Sequence, residues 1–159
     1  MHAADGLPPA ERHRAMATLS IAICISVLAT AIANIALPAI AVDLNVSPAL
    51  SVWVVNSYQL AVTVSLLPLS SLGDIYGYRR VYLFGLVMFC IGSLACGMAG
   101  TLPMQVAARA LQGLGAAGIM SVNTALVRYI YPRSQLGRGV GMTAPVSYTH
   151  LTLPTILRV

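Results

Sequence analysis

Four long runs of this chain, Met16–Leu37, Val52–Leu72, Val81–Gly100 and Pro103–Val127, contain a single charged residue among them, Arg109. A helix needs about 20 predominantly apolar residues to cross the ~30 Å hydrocarbon core of a bilayer, and each run is long enough. Lipid offers no partner for exposed backbone amides and carbonyls, so each run must be a helix. Composition agrees: 58% of the residues are hydrophobic and 8% are charged. A soluble domain carries roughly a quarter charged residues, and a disordered chain more still. The expected fold class is an all-α membrane protein, with a fifth span starting near Val140. Pro38 is expected to end the first helix, and Ser47-Pro48 to turn into the second.

The net charge is +5, and all the basic residues other than His are Arg. They form no stripe, so nucleic acid is not an expected partner. Arg12 and Arg14 precede the first span. Arg79 and Arg80 lie between the second and third, and Arg128, Arg133 and Arg138 follow the fourth. The intervening loops, around Asp43 and at Gly100–Pro103, have no basic residue. The positive-inside rule then puts the N-terminus in the cytoplasm, in a multi-pass protein of the inner (cytoplasmic) membrane. Residues 1–15, with Pro8 and Pro9, read as a cytoplasmic arm. The first run is longer than the roughly 7–15 residues of a signal-peptide core, so it reads as a retained helix. Cys24, Cys90 and Cys96 lie in apolar runs with no CxxC pair and no His beside them. They read as small buried hydrophobes, and neither a metal nor another cofactor is expected.

The last residues break the pattern. Val146–Val159 reads VSYTHLTLPTILRV, and its first ten residues resemble the translated end of a transposon-based sequencing adapter. Pro145–Val159 is therefore expected to be a non-native tail and is left out of fold reasoning. The remaining partner would then be the missing remainder of the chain itself.

Polar residues inside spans are informative because lipid penalises them. Gln105, Arg109 and Gln112 share one face of the fourth span through their i, i+4, i+7 spacing. The amides beside Arg109 favour a functional cavity over an Arg that snorkels to the interface. Gly113, Gly115 and Gly118 thin the same helix, and Gly85, Gly92, Gly97 and Gly100 do so in the third, allowing close backbone packing. Ser26, Thr30 and Asn34 form a stripe on the first span. Asn56, Gln59 and Thr63 form another on the second, beside Tyr58. Each stripe alone suits interhelical hydrogen bonding; together with Arg109 they suit a shared water-accessible path. The segment Gly73–Arg80 reads equally as a charge lock, with Asp74 against an Arg, or as a plain basic loop that sets topology. No nucleophile–base pair or phosphate loop remains once the tail is set aside, so an enzyme is not expected.

These motifs resemble the major facilitator superfamily. The segment after the second span is similar to the family signature of the G-x-L-A-D-R-x-G-R-R type. Leu72, Asp74, Gly77, Arg79 and Arg80 match, while Ser70, Gly73, Ile75 and Tyr78 depart from it. Arg109, Gln112, Gly113, Gly115, Ala116 and Ala117 match the fourth-helix pattern R-x-x-Q-G-x-G-A-A. Leu28, Asn34, Ala36, Leu37 and Pro38 resemble the first-helix motif of the fourteen-helix drug:proton antiporter branch, with Ala29 where that branch has Asp. Trp53–Tyr58 resembles the start of its second helix.

The resemblance implies that residues 16–144 are part of an N-terminal transporter half. It implies proton-coupled efflux of drugs or small organic compounds by alternating access, with a small-molecule substrate and protons as partners. Arg109 and Gln112 would couple protons. Asp74, Gly77, Arg79 and Arg80 would form a conformational latch. Thr30, Asn34, Asn56, Gln59 and Gln105 would line the transport path. The chain alone, with four spans, is expected not to transport. Two alternatives stand: uptake of a metabolite or sugar within the same superfamily, and a small non-transporting membrane subunit.

Overall fold

The computed structural model describes residues 9–130. They form four helices in chain order: α1 Pro9–Asp43, α2 Pro48–Tyr76, α3 Tyr78–Met98 and α4 Leu102–Ile130. The shortest, α3, has 21 residues, about 31 Å at 1.5 Å per residue, which is enough to cross a bilayer. All four carry segments long and apolar enough to span a membrane. The fifth span near Val140, Arg133, Arg138 and the tail Pro145–Val159 lie outside the described residues.

The helices overrun the apolar runs in most places. Residues 9–15, read from sequence as part of an arm, are the first turns of α1. Pro38 does not end α1: it sits inside the helix, which continues to Asp43. A proline removes one backbone donor, a loss that a membrane helix tolerates where leaving the helix would expose more. Termination comes at Asn45 instead. Its φ of 51° is left-handed, Asn45 N donates to Val42 O at 3.1 Å, and Val46 N donates to Ala41 O at 3.0 Å. Those two bonds are the paired closure of a Schellman cap. Pro48 then opens α2 behind an extended Ser47, a position where the missing N–H costs nothing.

The connection between α2 and α3 is one residue, Gly77. Its φ of 94° and ψ of 134° fall where a Cβ is not accommodated. Gly77 N donates to Gly73 O at 3.0 Å and Gly77 O accepts from Arg80 N at 3.1 Å, so one glycine closes α2 and opens α3. The segment Gly73–Arg80 is thus mostly helix, not loop.

The chain divides into two compact units. One comprises residues 1–27 and 123–159; its described part buries Met16, Leu19, Ala22 and Ile23, with Val127 and Ile130. The other, residues 28–122, contains α2, α3 and most of α4. Its interior is built from Val54, Tyr58, Val81, Tyr82, Phe89, Ile119 and Val122. Leucines, isoleucines and valines of the same helices, such as Leu60, Val64, Leu67, Val87 and Leu94, are exposed, as lipid-facing surfaces require.

Candidate functional site

All residues of the site belong to the unit of residues 28–122. About two turns into α4, Gln105, Arg109 and Gln112 are buried on one face; Arg109 keeps only 8% of its surface exposed. Arg109 Nη1 donates to Gln112 Oε1 at 2.9 Å. Gln112 Nε2 donates to Ser93 Oγ on α3 at 2.8 Å, and Ser93 Oγ donates to Phe89 O at 2.7 Å. The polarity of this relay is dictated. Ser93 has committed its proton to a carbonyl, so it must accept from Gln112, which leaves the amide oxygen to face Arg109.

Arg109 Nη1 also lies 3.4 Å from Ala29 O of α1. The Cys96 thiol approaches Gln112 Oε1 at 4.0 Å. The Tyr58 hydroxyl is hydrogen-bonded to the Thr30 side chain, and the Arg109 charge acts on both Tyr58 and Cys96. Arg109 Nε is buried and has no hydrogen-bond partner among the described residues. The acids of the described residues, Glu11, Asp43 and Asp74, all lie at or near helix ends. The guanidinium therefore stands among neutral groups of the described residues, with its Nε donor unspent among them. An Arg in that state can hold a water, or a carboxylate that reaches it.

Glycines bring the backbones that carry these groups together. A Cβ on Gly92 would meet Gln112 N at 2.6 Å, and one on Gly85 would meet Gly115 O at 2.8 Å. A Cβ on Gly115 would overlap Phe89 N, and one on Gly113 would meet Tyr58 O of α2 at 2.6 Å. Gly113 therefore serves α2, while Gly115 and Gly118 serve α3. Gly97 and Gly100, on the same sequence footing as Gly85 and Gly92, would bring a Cβ within 4 Å of nothing among the described residues.

The residues expected along a path divide. Thr30 and Gln105 are buried, Thr30 beside Tyr58. Asn34, Asn56 and Gln59 are exposed and are not brought to Arg109. Thr63 returns its hydroxyl to Gln59 O at 2.8 Å, within its own helix. On α2 the buried polar face is Ser51, Ser57 and Tyr58. The sequence marks Tyr58 only as a neighbour and gives no signal for Ser93, whose role depends on where α3 meets α4.

At the other end of α2, Asp74 does not pair with an Arg among the described residues. Its Oδ1 accepts from the Tyr78 hydroxyl at 2.6 Å, while Arg79 and Arg80 are exposed. Gly73 is a packing residue: a Cβ there would meet Val122 Cγ1 at 2.9 Å and Tyr78 Cδ1 at 3.0 Å.

Known proteins share this sequence. The chain is similar to the uncharacterized transporter YebQ of Escherichia coli (strain K12), 54% identical over 141 residues, 89% of this chain and 31% of that protein. It is 34% identical over 128 residues to the riboflavin transporter RibZ of Clostridioides difficile (strain 630), covering 80% of this chain and 28% of RibZ. It is 39% identical over 127 residues to the multidrug resistance protein Stp of Mycobacterium tuberculosis (strain CDC 1551 / Oshkosh), covering 79% of this chain and 24% of Stp. The chain thus spans less than a third of the length of each. The family model of the Major Facilitator Superfamily matches residues 19–144. Four apolar helices, a buried Arg109 braced by Gln112 and glycine-mediated packing accord with that match, and this all-α membrane chain belongs to the Major Facilitator Superfamily, a family of transporters and not of enzymes.

Proposed function

We propose that this chain forms the N-terminal part of a proton-coupled exporter of small organic compounds that works by alternating access. The observation that carries the reading is Arg109: a buried cation with neutral partners, an Nε without a partner among the described residues, and no acid in its span. An Arg inside a membrane span is costly in lipid, which fits a group held for function. Arg109, with Gln112, holds a water or a carboxylate whose protonation biases one access state. Thr30 and Gln105 line the inner wall of the path. Asn34, Asn56 and Gln59 present amides on open helix faces, where the rest of a transporter would complete the path. Asp74, Gly77, Arg79 and Arg80 form a latch at the α2–α3 junction. The arginine distribution supports a cytoplasmic N-terminus in an inner membrane. Similarity to the multidrug resistance protein Stp supports the substrate class.

The test is Arg109→Ala in a full-length parent that begins with this chain. Uncoupler-sensitive dye efflux is abolished while the protein level in the membrane is unchanged. Undiminished efflux overturns the reading. These 159 residues reconstituted alone give no substrate-dependent proton flux. A second reading, transport of a metabolite, is supported by the similarity to the riboflavin transporter RibZ; riboflavin-dependent flux without dye efflux in the parent would favour it.

A further inference from the structure

Arg109 Nη1 has two acceptors, and they respond differently when helices move. Gln112 Oε1, at 2.9 Å, lies on α4 itself and travels with Arg109. Ala29 O, at 3.4 Å, belongs to α1. That bond is already longer than the usual N–H···O bond, so a small shift of α1 breaks it. The next residue of α1, Thr30, is held by α2. Its side chain shares a hydrogen bond with the Tyr58 hydroxyl, and both residues are buried. Tyr58 is in turn seated on α4. A Cβ on Gly113, one turn beyond Arg109, would meet Tyr58 O at 2.6 Å and Tyr58 Cα at 3.2 Å.

So α4 reaches α1 at adjacent residues by two routes: directly from Arg109 to Ala29, and through Tyr58 to Thr30. Adjacent residues point about 100° apart around a helix, so the two ties together fix the rotation of α1 as well as its distance. We propose that Tyr58 is a positioning residue for Arg109: acting through Thr30, it holds α1 where Ala29 O can accept from the guanidinium. Without the Tyr58 hydroxyl, α1 is free to turn, Ala29 O withdraws, and Nη1 keeps Gln112 as its acceptor. Ser57, the neighbouring buried hydroxyl of α2, is the natural control, since it donates to Val54 O at 3.2 Å within its own helix. The linkage itself is a property of this chain; its effect on transport rests on the coupling role proposed for Arg109.

Heteronuclear NMR of the full chain in micelles, isotope-labelled at arginine, tests the linkage. The Arg109 side-chain signals are those lost in Arg109→Lys. Hydrogen bonds to Nη1 slow rotation about the Cζ–Nη bond. Tyr58→Phe quickens that rotation about fivefold, the effect of losing one neutral hydrogen bond. Thr30→Val does the same, the double variant adds nothing further, and Ser57→Ala leaves the rotation unchanged. Unchanged rotation in Tyr58→Phe overturns the proposal, as does additive quickening in the double variant or an equal effect of Ser57→Ala. In a full-length parent that begins with this chain, Tyr58→Phe lowers the maximal rate of uncoupler-sensitive dye efflux by a similar factor and leaves the half-saturating dye concentration unchanged. An undiminished maximal rate, with Arg109→Ala inactive, overturns the effect on transport. Efflux that survives Arg109→Ala sinks the coupling role instead, and the Tyr58 linkage is then decided by the spectra.

Discussion

Gln112 on α4 and Ser93 on α3 are joined by a hydrogen bond of 2.8 Å that also fixes which end of the Gln112 amide faces Arg109. Gln112→Leu removes both the α3 tie and the acceptor of Arg109 Nη1. A buried donor left without its partner costs about 1–3 kcal/mol, so unfolding of the chain in mixed micelles shifts by that amount. Ser93→Ala removes a neutral partner and costs less, about 0.5–1.5 kcal/mol. Because the two residues act through one bond, the double variant loses less than the sum of the single losses. Strict additivity would show that the relay is not a unit.

Gly92 and Gly115 are predicted to be intolerant of alanine, and Gly97 tolerant. A methyl at Gly92 enters the backbone of Gln112, and one at Gly115 enters that of Phe89. Overpacking of this kind costs about 1–3 kcal/mol. Gly97 lies in α3 with no described residue within 4 Å of its Cβ position. Alanine there gains about 0.5–1 kcal/mol from lower backbone entropy. The same micelle titration reads all three, and the sign difference between Gly92→Ala and Gly97→Ala is the test.

That contrast shows where sequence reading stopped. Hydropathy located the four helices because lipid admits no other structure for such runs. It could not rank Gly92 above Gly97, since the two differ by five residues, about 140° around a helix, and only the crossing with α4 says which direction is packed. Nor could polarity orient α2. In a soluble protein the polar stripe faces water; in a membrane it faces inward or toward a partner. Asn56 and Tyr58 lie about 200° apart, and the packed side is that of Ser51, Val54 and Tyr58, not of Asn56 and Gln59. The Arg109–Gln112 pair was legible because both residues sit on one helix at spacing three. Ser93 was not, because its role depends on α3 meeting α4. The end of α1 was misread at Pro38 because the left-handed turn at Asn45 leaves only a weak sequence signal.

Gly77 is predicted to resist every substitution. Its φ of 94° with ψ of 134° lies outside the left-handed helical region that Asn and Asp tolerate. Gly77→Ala and Gly77→Asn should therefore be equally harmful, each costing about 1–3 kcal/mol of backbone strain. No clash with a described residue contributes, since none lies within 4 Å of a Cβ there. Hydrogen exchange at residues 73–81 checks this locally, and rescue by Asn over Ala would argue against the strain assignment.

Tyr78 stands where the family signature has Arg, and its hydroxyl donates to Asp74 Oδ1. An uncharged donor makes this contact insensitive to salt, whereas an Arg in the same place would be screened within a Debye length of about 8–10 Å. Tyr78→Phe keeps the ring near Gly73 and removes only the hydroxyl. The loss of one exposed hydrogen bond, about 0.5–1.5 kcal/mol, appears as faster amide exchange at the junction with little change in global unfolding. Tyr78→Arg restores a partner of the signature type, and as an exposed ion pair it is worth about 0–1 kcal/mol. The two partners therefore differ less in strength than in their response to ions. Junction exchange in the unaltered chain is flat between low and high salt, and in Tyr78→Arg it quickens as salt rises. A salt dependence in the unaltered chain equal to that of Tyr78→Arg would mean that Arg79 or Arg80, and not the Tyr78 hydroxyl, holds Asp74 in the membrane.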